Sequence, residues 1–280
     1  MINRTLHEEK QNIINLFHKK KFSKISKITD KTRNLFVNQP DIVKMIVMSD
    51  LNNKSFVKAE QLLSKAIIHN NTYEFNYILG NTFKVQNKNN EAILAYEKSI
   101  SINKNFSEAY NNLANTQKKI GKFNDAIKNY KSAILLKKNN LEAYYNYANL
   151  LKLLKNYNEA NKNYKKVIEI NPSFFEAYNN IGTIYSILGN FKEAQKFFIK
   201  SIKLNKFFPE PYKNYVQSGK INENDEIINI LKEIVEKPDL DDFQKEVFYY
   251  SISKVYFDIN NNNLAFKYLN VANKLKLSKS

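Results

Sequence analysis

Aromatic, small and polar positions recur along this chain at a fixed step. Tyr110, Tyr144, Tyr178 and Tyr212 stand 34 residues apart, as do Gly80, Ala114, Ala148 and Gly182. The alanines Ala92, Ala126, Ala160 and Ala194 and the aromatics Tyr96, Tyr130, Tyr164 and Phe198 keep the same step. A period of this size marks a stack of one repeated supersecondary unit, here 73–106, 107–140, 141–174 and 175–208. Within a unit the spacing is helical. Tyr110, Leu113, Ala114 and Gln117 lie at i, i+3, i+4 and i+7, a turn is expected at Gly121 or its counterparts Lys155 and Gly189, and Ala126, Tyr130 and Ala133 share one side of a second helix. Asn71, Asn105, Asn139 and Ser173 each precede a glutamate by three residues (Glu74, Glu108, Glu142, Glu176), the spacing of a capping box at the start of each first helix. Small residues at Ala114 and Ala126 let the two helices approach, while Tyr110 and Tyr130 are expected to fill the space between neighbouring pairs. One pair cannot bury its apolar face alone, so the units stack.

The flanks keep the pattern less strictly, which divides the chain into 1–72, 73–208 and 209–280. Residues 40–72 give a unit one residue shorter, through Ile46, Val47, Ala59, Leu63 and Ala66. Residues 6–39 read as a degenerate helix pair. A fifth unit begins at Tyr212 and loses its pattern at Gly219, and a last pair runs over 246–279 through Tyr249, Ile252, Ser253, Tyr256, Ala265, Leu269 and Ala272.

The order of large aromatic, Leu, Gly or Ala, Tyr, then Ala, aromatic, Ala and a late Pro172 resembles the tetratricopeptide repeat. The resemblance implies an all-α, right-handed superhelical solenoid of antiparallel helix pairs that works as a protein-interaction scaffold. The stretch from Pro209-Glu210-Pro211-Tyr212 to Ala265-Phe266-Lys267-Tyr268-Leu269 further resembles the last repeats before the enzyme domain in bacterial fusions of such repeats to a sulfotransferase. That resemblance implies a second possibility, a non-catalytic arm presenting substrate to a sulfotransferase or glycosyltransferase encoded in continuation or nearby.

Composition bears on the remaining function classes. The net charge of +17 invites a nucleic-acid or anionic-surface reading. The basic excess, however, is spread along most of the chain and absent from its last quarter, and the tyrosines a base would stack on fall at packing positions. There is no Cys, and His7, His18 and His69 lack metal-ligand spacing, so neither a metal site nor a cofactor is expected. The five glycines form no phosphate loop, and no acid, base or nucleophile constellation is legible. A non-enzymatic role is expected. The N-terminus carries no apolar run of a signal peptide, and the expected location is cytoplasmic.

In a stack of pairs the first helices line the concave face, so equivalent positions form ladders along a groove. One ladder runs Asn112, Asn146, Asn180 and Asn214; another runs Asn81, Asn115 and Asn149, broken at Thr183. One turn further along the same face lie Lys84, Lys118 and Lys152. An amide both donates and accepts, so such rows suit the main chain of an extended peptide. The first row resembles the asparagine ladder in the repeat region of O-GlcNAc transferases. The lysines point to an acidic partner, as in repeat domains that clamp chaperone C-termini. Duplication alone also repeats surface residues, and the sequence leaves both origins of the rows open.

Overall fold

The computed structural model describes residues 2–278, with side chains from Thr5 to Ser278, and helix is the only regular secondary structure among them. The chain divides into two compact units, Met1–Ala143 and Tyr144–Ser280.

The first unit opens with α1 (Ile2–His18), α2 (Phe22–Ser26) and α3 (Asp30–Asn34). Three antiparallel pairs follow: α4 (Pro40–Asn52) with α5 (Phe56–His69), α6 (Tyr73–Val85) with α7 (Asn89–Ile102), and α8 (Ser107–Lys119) with α9 (Phe123–Leu136). The unit ends on the first residues of α10 (Leu141–Leu153). The stretch 6–39 is therefore three helices where the sequence suggested a pair. Its second helix breaks between Ser26 and Asp30, and the guanidinium of Arg33 caps the break, its Nη2 donating to Ser26 O at 2.9 Å and its Nε to Ile28 O at 3.0 Å. The same guanidinium forms a bidentate pair with Asp50 of α4, and both side chains are buried. Ile13, Ile25, Phe36, Ile46, Val47, Ala59, Leu63 and Ala66 make the fully buried core around it.

In the second unit, the rest of α10 is followed by α11 (Tyr157–Ile170), α12 (Phe175–Ile187) paired with α13 (Phe191–Leu204), the short α14 (Glu210–Gln217) and α15 (Glu226–Val235), and α16 (Asp242–Asp258) paired with α17 (Asn262–Leu277). The pattern lost at Gly219 corresponds to the end of α14. Asp225 then restarts the chain by accepting the Ile227 N–H at 3.1 Å and the Tyr215 hydroxyl at 2.9 Å. Phe198, Tyr212, Ile227, Leu231, Phe248, Ile252 and Val255 share one core.

The turns inside the regular pairs fall where the sequence places them. Gly121 and Gly189 adopt φ of 80° and 78°, and Lys155 and Asn87, at the same repeat position, adopt 61° and 60°. The next N–H reaches the carbonyl five residues back, as in Lys122 N to Gln117 O (2.9 Å) and Asn156 N to Leu151 O (2.8 Å). This closure caps the last turn, and glycine enters it without the Cβ clash that Lys155 bears.

Two expectations are corrected. Tyr96 and Phe198, at the repeat position of Tyr130, are seated inside their own pair, where the sequence placed Tyr130 between pairs: a Cβ on Gly80 would meet the Tyr96 ring at 2.5 Å, and one on Gly182 the Phe198 ring at 2.7 Å. The hydroxyls follow the rings, Tyr96 donating to Asn81 Oδ1 (2.7 Å), Tyr130 to Asn115 Oδ1 (2.6 Å) and Tyr164 to Asn149 Oδ1 (2.6 Å). The capping boxes also fail. A box needs its polar residue immediately before the helix, and Asn71, Asn105 and Ser173 sit one residue too early. The residues that do stand there are Thr72, which accepts from Phe75 N at 3.2 Å, and Phe106 and Phe174, which offer no side-chain cap. Asn140, not Asn139, accepts from Ala143 N at 3.1 Å. The connections are instead folded by Asn103, Asn171 and Asn205, each accepting the N–H two residues on at 3.0 Å. A reciprocal box does form at α16, between Asp241 and Gln244.

Candidate functional site

In the first unit the site is built on α6 and α8. Tyr77, Asn81 and Lys84 occupy positions i, i+4 and i+7 of α6 and therefore share one face. From α8, Asn112 turns its amide nitrogen onto them, donating to the Tyr77 hydroxyl and to Asn81 Oδ1, both at 2.9 Å. Asn81 Oδ1 thus accepts twice, from Asn112 and from Tyr96. The Tyr77 ring is held by edge-to-face packing on Phe106, centroids 4.9 Å apart. Above this layer opens a pocket of about 390 Å³, lined by Tyr77, Asn81, Lys84, Glu108, Asn112 and Glu142 among others.

The electrostatics of this pocket follow from partial burial. Burial holds the Lys84 ammonium below its usual pKa, and the Glu142 carboxylate opposes that shift. Burial raises the Tyr77 hydroxyl, and Glu142 and Glu108 push it further in the same direction, against a hydrogen bond from Asn81. Glu108 is bonded to Lys137 Nζ at 3.1 Å. Lys118 is half-buried on α8, and burial lowers its pKa. The neighbouring Asn115 accepts from Tyr130.

The second unit carries the same arrangement 68 residues later. Asn180 of α12 donates to the Tyr145 hydroxyl at 3.3 Å and to Asn149 Oδ1 at 3.5 Å. Here the lysine folds down: Lys152 Nζ donates to Asn180 Oδ1 at 2.6 Å, and burial lowers its pKa. Asn180 is buried with both ends of its amide engaged. Asn214 of α14 donates to Asn179 Oδ1 at 3.0 Å, and Asn146 lies half-buried on α10. Within each unit, then, asparagines expected to line a ligand surface also knit adjacent first helices together.

Glu108 and Glu142 entered the sequence reading only as expected capping residues, and Tyr77 and Tyr145 were not singled out. The signal of the two tyrosines is a second period. Tyr77 and Tyr145, and Asn111 and Asn179, recur at 68 residues rather than 34, so a search for residues common to all four units passes over them.

Among the described residues no helix is long and apolar enough to cross a membrane, and no cluster of His, Asp or Glu could hold a metal ion. Family models described as TPR repeat and tetratricopeptide repeat match residues 80–121 and 148–189, residues 107–140, and residues 175–208. No curated protein matches the sequence significantly. Among solved structures, MamA is 26% identical over 57% of this chain and 95% of its own, with a TM-score of 0.55. YrrB, described as a TPR protein with an unusual peptide-binding site, is 19% identical over 61% of this chain and 88% of its own (TM-score 0.53). The C-terminal part of a TPR repeat-containing protein from Cytophaga hutchinsonii is 14% identical over 93% of this chain and 99% of its own (TM-score 0.64). The 34-residue helix pairs, their left-handed turns, the aromatic seated on a small residue inside each pair and these matches agree: the chain is a tetratricopeptide-repeat protein.

Proposed function

We propose that the chain is a protein-interaction scaffold whose first-helix faces hold an extended segment of a partner protein. One observation carries this reading. In the first unit, α6 and α8 present a polar pocket of about 390 Å³ whose floor is a fixed network of Tyr77, Asn81 and Asn112, tied to the buried Tyr96 through Asn81. A floor ordered before binding reduces the entropy lost when a flexible peptide settles on it. The half-buried Lys84 and Lys118 have given up part of their water, so a ligand oxygen that reaches them displaces less. The peptide-binding site named for YrrB lends the reading support from a protein of the same fold.

The test is where a bound peptide lands. Peptides selected from a random displayed library on the full chain are added at saturation, and amide hydrogen exchange is compared with and without them. Added protection is expected in α6 and α8. Protection confined to α7 and α9 would place binding on the opposite helices and sink the reading.

A further inference from the structure

Two opposite charges face the first-unit pocket without a contact ion pair between them. The Lys84 ammonium is half-buried on one wall and the Glu142 carboxylate stands exposed on another; the carboxylate acts on the ammonium through space, and no salt bridge joins them. Glu108 differs, because Lys137 already neutralises it at 3.1 Å. The second unit shows what the lysine position takes when an acceptor is in reach, since Lys152 donates to Asn180 Oδ1 at 2.6 Å. In the first unit the matching acceptor, Asn112 Oδ1, has no donor among the described residues, while the amide nitrogen beside it is engaged by Tyr77 and Asn81.

We propose that this pocket takes two neighbouring, oppositely charged side chains of an extended peptide, the acidic one on Lys84 and the basic one on Glu142, with a peptide N–H on Asn112 Oδ1. The proposal rests on the scaffold reading above and narrows its ligand. A half-buried ammonium that has lost water gains most from an anionic oxygen. A purely acidic segment would satisfy Lys84 but set its next carboxylate against Glu142, and a purely basic one would meet Lys84 with the wrong sign. The lysine row alone pointed to an acidic partner; the carboxylates that the fold brings to the same pocket change that to a partner of mixed charge.

The experiment uses peptides selected from the random displayed library and measures their dissociation constants by fluorescence anisotropy on the full chain and on Lys84→Gln and Glu142→Gln. Selected peptides are expected to carry an acid and a base within a few residues of each other. Each variant should weaken binding about tenfold, as for an ion pair partly shielded from water. Replacing the peptide's acidic residue by its amide should abolish the effect of Lys84→Gln, and replacing its basic residue should abolish that of Glu142→Gln. Peptides that protect α6 and α8 yet bind both variants as tightly as the parent, or all-acidic peptides that bind as well as mixed ones, would overturn the proposal and leave the scaffold reading standing. Binding that protects α7 and α9 instead, or no selectable peptide at all, would overturn both.

Discussion

Removing one partner of the buried pair between Arg33 and Asp50 should loosen the start of the first unit and leave its later pairs intact. Arg33 directs four hydrogen bonds inward, two to the Asp50 carboxylate and one each to Ser26 O and Ile28 O. In Asp50→Asn the guanidinium stays buried, 3% exposed, and loses its buried counter-charge, keeping only the exposed Asp30 carboxylate at 4.0 Å. Stranding a buried charge in this way costs about 3–5 kcal/mol. If the loss falls on local opening, protection of α4 and α5 amides should drop by about two to four powers of ten. Repeat arrays couple mainly to nearest neighbours, so α8 and α9 should keep most of their protection. The double variant Arg33→Met/Asp50→Leu removes both charges and leaves only the Ile28 carbonyl without its donor, because Lys58 Nζ also reaches Ser26 O at 3.5 Å, a cost of about 1–3 kcal/mol at most. It should therefore be no less stable than the single variant. Hydrogen exchange followed by mass spectrometry reads both, and a double variant clearly weaker than Asp50→Asn would refute the reasoning, as would a single variant whose α4 protection falls less than about tenfold.

Lys155→Gly should stabilise the protein. The left-handed φ of 61° costs a side-chain-bearing residue about 1–2 kcal/mol, offset by about 0.4–1 kcal/mol from the greater freedom of glycine in the unfolded chain. Thermal unfolding followed by circular dichroism should show a rise of a few degrees, with a fall for Gly121→Ala at the same repeat position. Alkaline pH should unfold the protein steeply. Burial raises the hydroxyls of Tyr96, Tyr130, Tyr164 and Tyr212 well above the usual 10.0. The folded-state values being raised, the stability they contribute is intact below pH 10 and is lost above it, at about 1.4 kcal/mol per pH unit for each tyrosine that ionises only in the unfolded chain. Lys84, Lys118 and Lys152, with lowered values, act in the opposite sense as pH rises towards 10.5, and their shifts are smaller. Tyrosinate absorbance should therefore appear together with loss of helical circular dichroism; its appearance well before unfolding would contradict the assigned burial.

Much of the array between 73 and 208 is legible in the sequence because one packing solution is used four times. The aromatic at Tyr96, Tyr130, Tyr164 and Phe198 and the small residue at Gly80, Ala114, Ala148 and Gly182 mark where two helices cross. The left-handed residue marks where they turn. The caps were misread because an Asn three residues before a Glu has the spacing of a box without its register, and only the helix start distinguishes them. The buried pair of Arg33 and Asp50 gives no local signal: the residues are 17 apart on different helices, and the break in 22–34 that creates a need for the guanidinium is itself set by packing.

The candidate site was half legible for a related reason. A 34-residue period reports that a position is repeated, not what each copy touches. Asn112 and Asn180 are equivalent in sequence and in the direction of their amide nitrogens, but Lys152 closes onto Asn180 and Lys84 does not close onto Asn112. The difference between a sealed rung and an open one thus lies in a side chain of another helix. It follows that replacing Asn112 would test two things together, since the same amide fastens α8 to α6 and faces the pocket with its oxygen. Lys84→Gln and Glu142→Gln change the pocket's charges and leave that fastening in place. A loss of binding in those variants with unchanged helical content therefore reports on ligand recognition, whereas the same loss in Asn112→Ala would not distinguish it from a loosened array.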